Sequence, residues 1–156
     1  EIISITAHEM GHYVKNHIWK SIGMGIGGTF LILFLIHFSS AWIMKSSNGY
    51  FGFRNLYNYA SLPLLLLLLN IFNWFGQPVV NSISRNFERE ADLYEISITE
   101  DRISAVTAME KLYESSLGLP RPSAFYKFWY HTHPPLEERI HFYMTEELQQ
   151  IGGEDL

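Results

Sequence analysis

Two long runs without a charged residue constrain this chain more than any other feature. Between Ile22 and Met44 there is no Asp, Glu, Lys or Arg, and Asn55 to Ser84 is equally free of them, with six consecutive leucines, Leu64 to Leu69, at its centre. About 20 apolar residues cross the ~30 Å hydrocarbon layer as a helix, and a helix satisfies its own backbone polar groups there. The pattern predicts transmembrane helices over 22–44 and 60–82. They are joined by the turn cluster Lys45 to Gly49 and an aromatic loop (Tyr50, Phe51, Phe53, Tyr57, Tyr59) suited to a membrane interface. Pro63 falls in the first turn of the second helix, and Pro78 is expected to bend or end it. Such a hairpin returns the chain to the side it left, bringing Arg85 near Lys20. The alternative, a pair of core helices in a large soluble protein, fits poorly with two adjacent uncharged runs of this length.

Composition agrees. Charged residues are 17% and hydrophobic ones 47% of the 156 residues, against about 25% charged in soluble domains. The net charge is −5 and no basic run occurs, so nucleic-acid binding has no electrostatic support. With no cysteine, a disulfide framework and thiolate metal sites are excluded, and any metal must be held by His, Asp or Glu. The length fits one domain, 1–156. Glu1 to Ala7 lacks the basic start and cleavage site of a signal peptide and reads as a helix already under way, so the chain is read as a fragment.

Outside the hairpin, Ile2 to about Lys20 reads as one mostly buried helix. Ser84 to Asp92 opens a charged helix reaching about Thr99. Asp101 to about Ser116 reads as an amphipathic helix with Ile103, Val106, Met109 and Leu112 on its apolar face. Gly118 to Pro122 breaks it, an aromatic stretch from Phe125 to Tyr130 follows, and a last helix runs from Leu136 to about Gln150 before a frayed Gly-Gly acidic tail.

The chemistry concentrates in His8-Glu-Met-Gly-His12. On a helix, histidines four apart project from one face and can grip one cation, imidazole nitrogen lying ~2.0–2.1 Å from zinc. Glu9, one residue along, flanks that cation and is placed to move a proton between water and a leaving amine. Gly11 leaves the face uncrowded. A catalytic zinc takes three protein ligands and keeps one position open. Candidates for the third are Glu88, Glu90, Asp92 and the C-terminal histidines. Glu88 and Asp92 share a helical face and Glu90 points elsewhere. The economical assignment makes Glu88 the ligand and Asp92 an acceptor that orients an imidazole through its other nitrogen. The alternative is a solvated charge cluster beside a membrane helix. His131 and His133 precede Pro134 and Pro135, and a histidine there can donate to a developing oxyanion; the alternative is a surface loop. His17 and His37 read as structural, His37 being a minor candidate for a cavity wall.

Taken in order, His8-Glu-Met-Gly-His12, a two-helix hairpin, Phe87-Glu-Arg-Glu-Ala-Asp92 and His133-Pro-Pro-Leu-Glu-Glu-Arg139 resemble the type I CAAX prenyl proteases, integral-membrane zinc metallopeptidases. The likeness runs from about Ile2 to Met144 and includes Phe51-Gly-Phe53 and Gly118-Leu-Pro120. It implies an all-α, membrane-embedded zinc peptidase domain of the gluzincin type with the hairpin inserted in it, part of a helical ring around an intramembrane chamber. The N-terminal helices of that ring have no counterpart in this sequence, which implies an open chamber and little activity for the chain alone. It further implies one Zn²⁺ on His8, His12 and Glu88, Glu9 as general base and acid, Asp92 behind the ligands, His133 on the substrate and Arg139 near the site. The implied partners are a prenylated protein or peptide substrate and the lipid bilayer. The implied location is the endoplasmic reticulum membrane in a eukaryote or the inner or cell membrane in a bacterium. Two rivals share the residues: an HtpX-like quality-control protease, and a non-catalytic scaffold that keeps zinc for structure. Lys15, Lys20, Arg85 and Arg89, set against Lys45 and Arg54, weakly favour a cytoplasmic active site.

Overall fold

The computed structural model describes residues 1–53, 55–116, 119 and 121–153, with side chains to residue 145. Six α-helices account for most of them: α1 Ile2–Val14, α2 His17–Ser46, α3 Leu62–Thr99, α4 Arg102–Ser116, α5 Ala124–Tyr130 and α6 Leu136–Gly153. No β-strand occurs among the described residues. The chain forms two compact units, Glu1–Ile18 with Pro78–Leu156, and Trp19–Gln77.

The second unit is made mostly of α2 and the first part of α3; α2 and the stretch Tyr59–Thr99 are each long and apolar enough to cross a membrane. Large side chains on α2 are exposed, Phe30 at 71% and Trp42 at 69%. The aromatic loop turns through Gly49 and Gly52, both at positive φ (83° and 73°), where a side chain would be strained. Phe53 is buried, and Phe51 packs against it with ring centroids 5.9 Å apart. Arg54 lies outside the described residues. Pro63 sits in the first turn of α3 as expected, where its missing N–H costs no helical bond. Pro78 does not end the helix: α3, 38 residues long, runs through it and joins the apolar run and the charged helix in one element.

The first unit carries most of the polar chemistry and differs from the sequence reading in four respects. The helix expected from Ile2 to Lys20 is two helices, broken at Asn16, whose φ is +58°. Asparagine tolerates this left-handed conformation better than most residues, and the Lys15 and Asn16 amides close the end of α1 onto the carbonyls of Gly11 and Tyr13. Nor is α1 mostly buried. Its inward stripe is small, Ser4, Ala7 and Gly11, while Ile2, Ile3 and Tyr13 are exposed. The stripe allows close approach: a Cβ on Gly11 would lie 3.0 Å from the Ala91 Cα of α3. Likewise α4 turns Ala105, Ala108 and Met109 inward and leaves Ile103 and Leu112 exposed, because its small residues pack against both α1 and α6. Ile96, Ala105, Met109 and Tyr143 form the hydrophobic cluster there. Of the expected break after α4, Gly118 and Pro120 lie outside the described residues. The last helix continues through the Gly-Gly pair to Gly153 instead of ending at Gln150.

Candidate metal centre

His8 and His12, one turn apart on α1, bring their Nε2 atoms to 3.1 Å of each other. Glu88 of α3 meets both, Oε2 at 3.4 Å from His8 Nε2 and Oε1 at 3.5 Å from His12 Nε2. Two imidazoles and a carboxylate thus converge on one point, an arrangement that suits a shared cation. Bonds of 2.0–2.1 Å in a tetrahedron place ligand atoms ~3.3–3.4 Å apart, close to the 3.1 Å between the two Nε2 atoms and the 3.4 and 3.5 Å from each to the nearer carboxylate oxygen. The donor set therefore fits zinc.

Charge balance points the same way. Glu88, Asp92 and Glu95 are all buried, with Arg139 as the guanidinium set among them. Buried carboxylates without matching positive charge are costly, so a cation bound beside them would be stabilised. A second set of donors, His8, Asp92 and Glu95, also lies close together, but its carboxylates are already engaged. Asp92 takes Arg139 Nε on Oδ2 at 3.0 Å and Arg139 Nη2 and Tyr143 OH on Oδ1 at 2.5 and 3.2 Å. Glu95 accepts from Tyr143 OH at 2.5 Å and from Ser4 Oγ.

Behind the first set, Asp92 Oδ1 stands 2.9 Å from His8 Nδ1 without closing a hydrogen bond; a proton on Nδ1 would leave Nε2 free to bind metal. Burial alone would lower the His8 pKa, but the carboxylates of Asp92 and Glu88 outweigh it and push it up to about 9. His12 goes the other way. Burial holds it below the ordinary histidine value, Glu88 opposing and His8 and His17 adding to the effect.

Glu9, exposed, lines a cavity of about 630 Å³ together with His8, His12, Glu88 and His133. His133 is exposed and points Nε2 at Glu88 Oε1, 3.3 Å away. Its loop is tied down at several points. Asn81 of α3 donates to the Trp129 carbonyl at 2.6 Å, Arg85 donates to those of His131 and Lys127 at 2.6 and 3.2 Å, and Tyr113 of α4 donates to Pro134 at 2.9 Å. A guanidinium at the end of α5 meets both the orphan carbonyls and the negative end of the helix.

His8, Glu9, His12, Glu88, Asp92, His133 and Arg139 are thus brought together, whereas Glu90, also a candidate ligand, meets His17; His37, in α2, lies edge-on to Phe38. His131 lines the cavity wall, its ring edge-on to Tyr126 and its carbonyl held by Arg85. Sequence reasoning missed Asn81, Arg85, Glu95, Tyr113 and Tyr143. Glu95 alone carried a signal, standing three and seven residues beyond Asp92 and Glu88 on the same face of α3.

This arrangement has relatives. The model of peptidase family M48 matches residues 1–146. The chain belongs to peptidase family M48. It is 32% identical to an uncharacterized metalloprotease, YhfN, of Bacillus subtilis, over 94% of this chain and 34% of that one. Identity to the CAAX prenyl protease 1 homolog of Homo sapiens is 31%, over 90% of this chain and 29% of the relative. Protease HtpX of Idiomarina loihiensis is 26% identical, over 90% of this chain and 51% of its own length. This chain spans about a third of the first two relatives. Membership makes it part of a metalloprotease family whose members act on peptides or proteins with a metal ion, generally zinc.

Proposed function

We propose that the chain is the catalytic part of a zinc-dependent membrane endopeptidase that removes the C-terminal tripeptide of prenylated C-a-a-X proteins. In this reading 1–156 is one membrane-embedded domain, crossing at 22–44 and 60–82. The observation that carries the catalytic half is the spacing of His8, His12 and Glu88 at tetrahedral-edge distances with Glu9 on the same cavity wall. The substrate half is supported by the match to CAAX prenyl proteases from animals, plants and yeast.

His8, His12 and Glu88 would hold the metal. Zinc, when bound, polarises a carbonyl oxygen and lowers the pKa of water towards ~7. Glu9 takes a proton from the attacking water and returns it to the departing amine. His133, on its pinned loop, donates Nε2–H to the oxyanion that develops at the scissile carbonyl. Arg139 keeps Asp92 charged and fixed, and Asp92 fixes His8. An apolar membrane setting suits an isoprenoid, each buried methylene contributing ~0.8 kcal/mol.

The test uses the full-length protein in detergent, wild type beside Glu9→Gln, with a farnesylated C-a-a-X peptide, its unprenylated twin, and zinc content measured for both proteins. Zinc in both proteins with cleavage only by wild type, and only of the lipidated peptide, is the expected result. Equal cleavage of both peptides moves the activity towards that of an HtpX-like protease. Zinc without cleavage makes it a scaffold.

A further inference from the structure

We infer that His17 and Glu90 form a positioning relay that fixes the tautomer and orientation of His12, so that a zinc ligand is set by a carboxylate acting through a second imidazole. The inference rests on His12 being a ligand, as proposed above. His17 is 3% exposed, and its two ring nitrogens each meet a polar partner: Nδ1 lies 3.0 Å from His12 Nδ1 and Nε2 lies 3.0 Å from Glu90 Oε2. Its ring stacks on Phe87 with centroids 4.3 Å apart and planes 10° from parallel. The imidazole therefore has little freedom to turn.

Proton bookkeeping gives the arrangement a direction. An ionised carboxylate only accepts, and a neutral imidazole carries one donor and one acceptor. Glu90 thus requires the proton of His17 on Nε2. His17 Nδ1 is then an acceptor, and His12 must supply the proton from its own Nδ1. That leaves His12 Nε2 bare, on the side facing His8 Nε2 and Glu88 Oε1. The same result is reached for His8 in one step, by Asp92 beside its Nδ1 at 2.9 Å. The two ligands differ because Asp92 shares the face of α3 that carries Glu88, whereas Glu90 is two residues along and about 200° round the helix. His17 bridges that gap.

Five residues separate His17 from His12, about 140° round a continuous helix, which would turn the rings apart. The break at Asn16, φ +58°, is what lets the first residue of α2 face back to His12. The backbone of this segment is thus shaped for the contact.

The experiment measures zinc affinity of the full-length protein in detergent by competition with a chromophoric chelator. His17→Phe keeps the ring on Phe87 but removes both nitrogens, and Glu90→Leu removes only the acceptor. Each should weaken zinc binding ~10–100-fold, the usual effect of losing an acceptor behind a ligand. Glu90→Gln, which retains an acceptor oxygen, should lie closer to wild type than Glu90→Leu does. The double variant should bind no more weakly than His17→Phe alone, since Glu90 acts only through His17; a merely structural pair would lose affinity independently. Wild-type affinity in His17→Phe, or additive losses in the double variant, would overturn the relay. Should His17→Phe fail to fold, as judged by thermal unfolding of the metal-free protein, the contrast of Glu90→Leu with Glu90→Gln decides the matter. His12→Ala separates the two levels. Zinc lost with His12 but unaffected at His17 refutes the relay alone, while zinc retained without His12 refutes the ligand assignment and the relay together.

Discussion

Arg139 of α6 holds Asp92 of α3 at two points, Nε to Oδ2 at 3.0 Å and Nη2 to Oδ1 at 2.5 Å, with no part of Asp92 exposed. The pair joins the last helix to the one that carries Glu88. It also keeps a carboxylate charged where solvent does not reach, the Arg139 guanidinium itself being held above its ordinary pKa, burial opposing and Asp92 prevailing.

Removing one partner of a buried pair strands the other, at about 3–5 kcal/mol. Arg139→Gln is therefore expected to destabilise the metal-free protein by about that amount and to lower its zinc affinity, because Asp92 no longer stands fixed behind His8. Unfolding in detergent micelles, followed by circular dichroism, checks the first part. Asp92→Asn combined with Arg139→Gln should recover part of the stability, since no charge is then stranded.

Glu88→Ala should abolish stoichiometric zinc binding, whereas Glu90→Ala should still fill its site at saturating zinc. The difference follows from geometry: Glu88 faces both Nε2 atoms within 3.5 Å, and Glu90 faces His17. Zinc content after dialysis against excess metal decides it, and equal occupancy in the two variants would reject Glu88 as a ligand.

His133→Ala should retain zinc and lose turnover by ~10²–10³-fold, the usual effect of deleting one oxyanion donor. The loop that carries it is anchored by Asn81, Arg85 and Tyr113, so the backbone should be undisturbed. Loss of the metal with the side chain would make His133 a ligand.

Gly11→Ala places a Cβ 3.0 Å from the Cα of Ala91 and 3.1 Å from its carbonyl oxygen. Neither atom is on a flexible side chain, so α1 must move off α3. Overpacking of this kind costs about 1–3 kcal/mol, and here it also widens the gap between the histidines and Glu88. Both the melting temperature and zinc affinity should fall, while Ala7→Gly, which adds nothing, should leave the metal in place.

The legible parts of this chain were those where one residue type at one spacing has a single physical use. His8 and His12 at i, i+4 and the pair Glu88 and Asp92 on one face could be placed before any coordinates, because helical periodicity alone aligns them. Two charge-free runs likewise left few options but long apolar helices. Asn16 was illegible because nothing around it is a strong breaker: Tyr13 to Lys20 holds neither Gly nor Pro, and one left-handed residue leaves no trace in the pattern. With that break hidden, His17 looked merely structural. The anchors Arg85, Tyr113 and Tyr143 were out of reach for another reason. Their partners lie 21 to 51 residues away, a distance local propensity cannot see. The packed faces of α1 and α4 escape an apolar pattern because size, not hydrophobicity, decides which side comes closest, and small residues such as Ala7, Gly11, Ala105 and Ala108 make the contacts while Ile103 and Leu112 stay exposed.

The left-handed Asn16 also changes how such chains can be searched. A histidine five positions after the second motif histidine, directly preceded by Asn or Gly, marks a backbone able to fold that imidazole back, whereas the same histidine preceded by Val or Ile does not. The string His-Glu-x-x-His-x-x-x-[Asn/Gly]-His therefore encodes a bend as much as a ligand set, and the residue with no chemistry of its own is the one to align on.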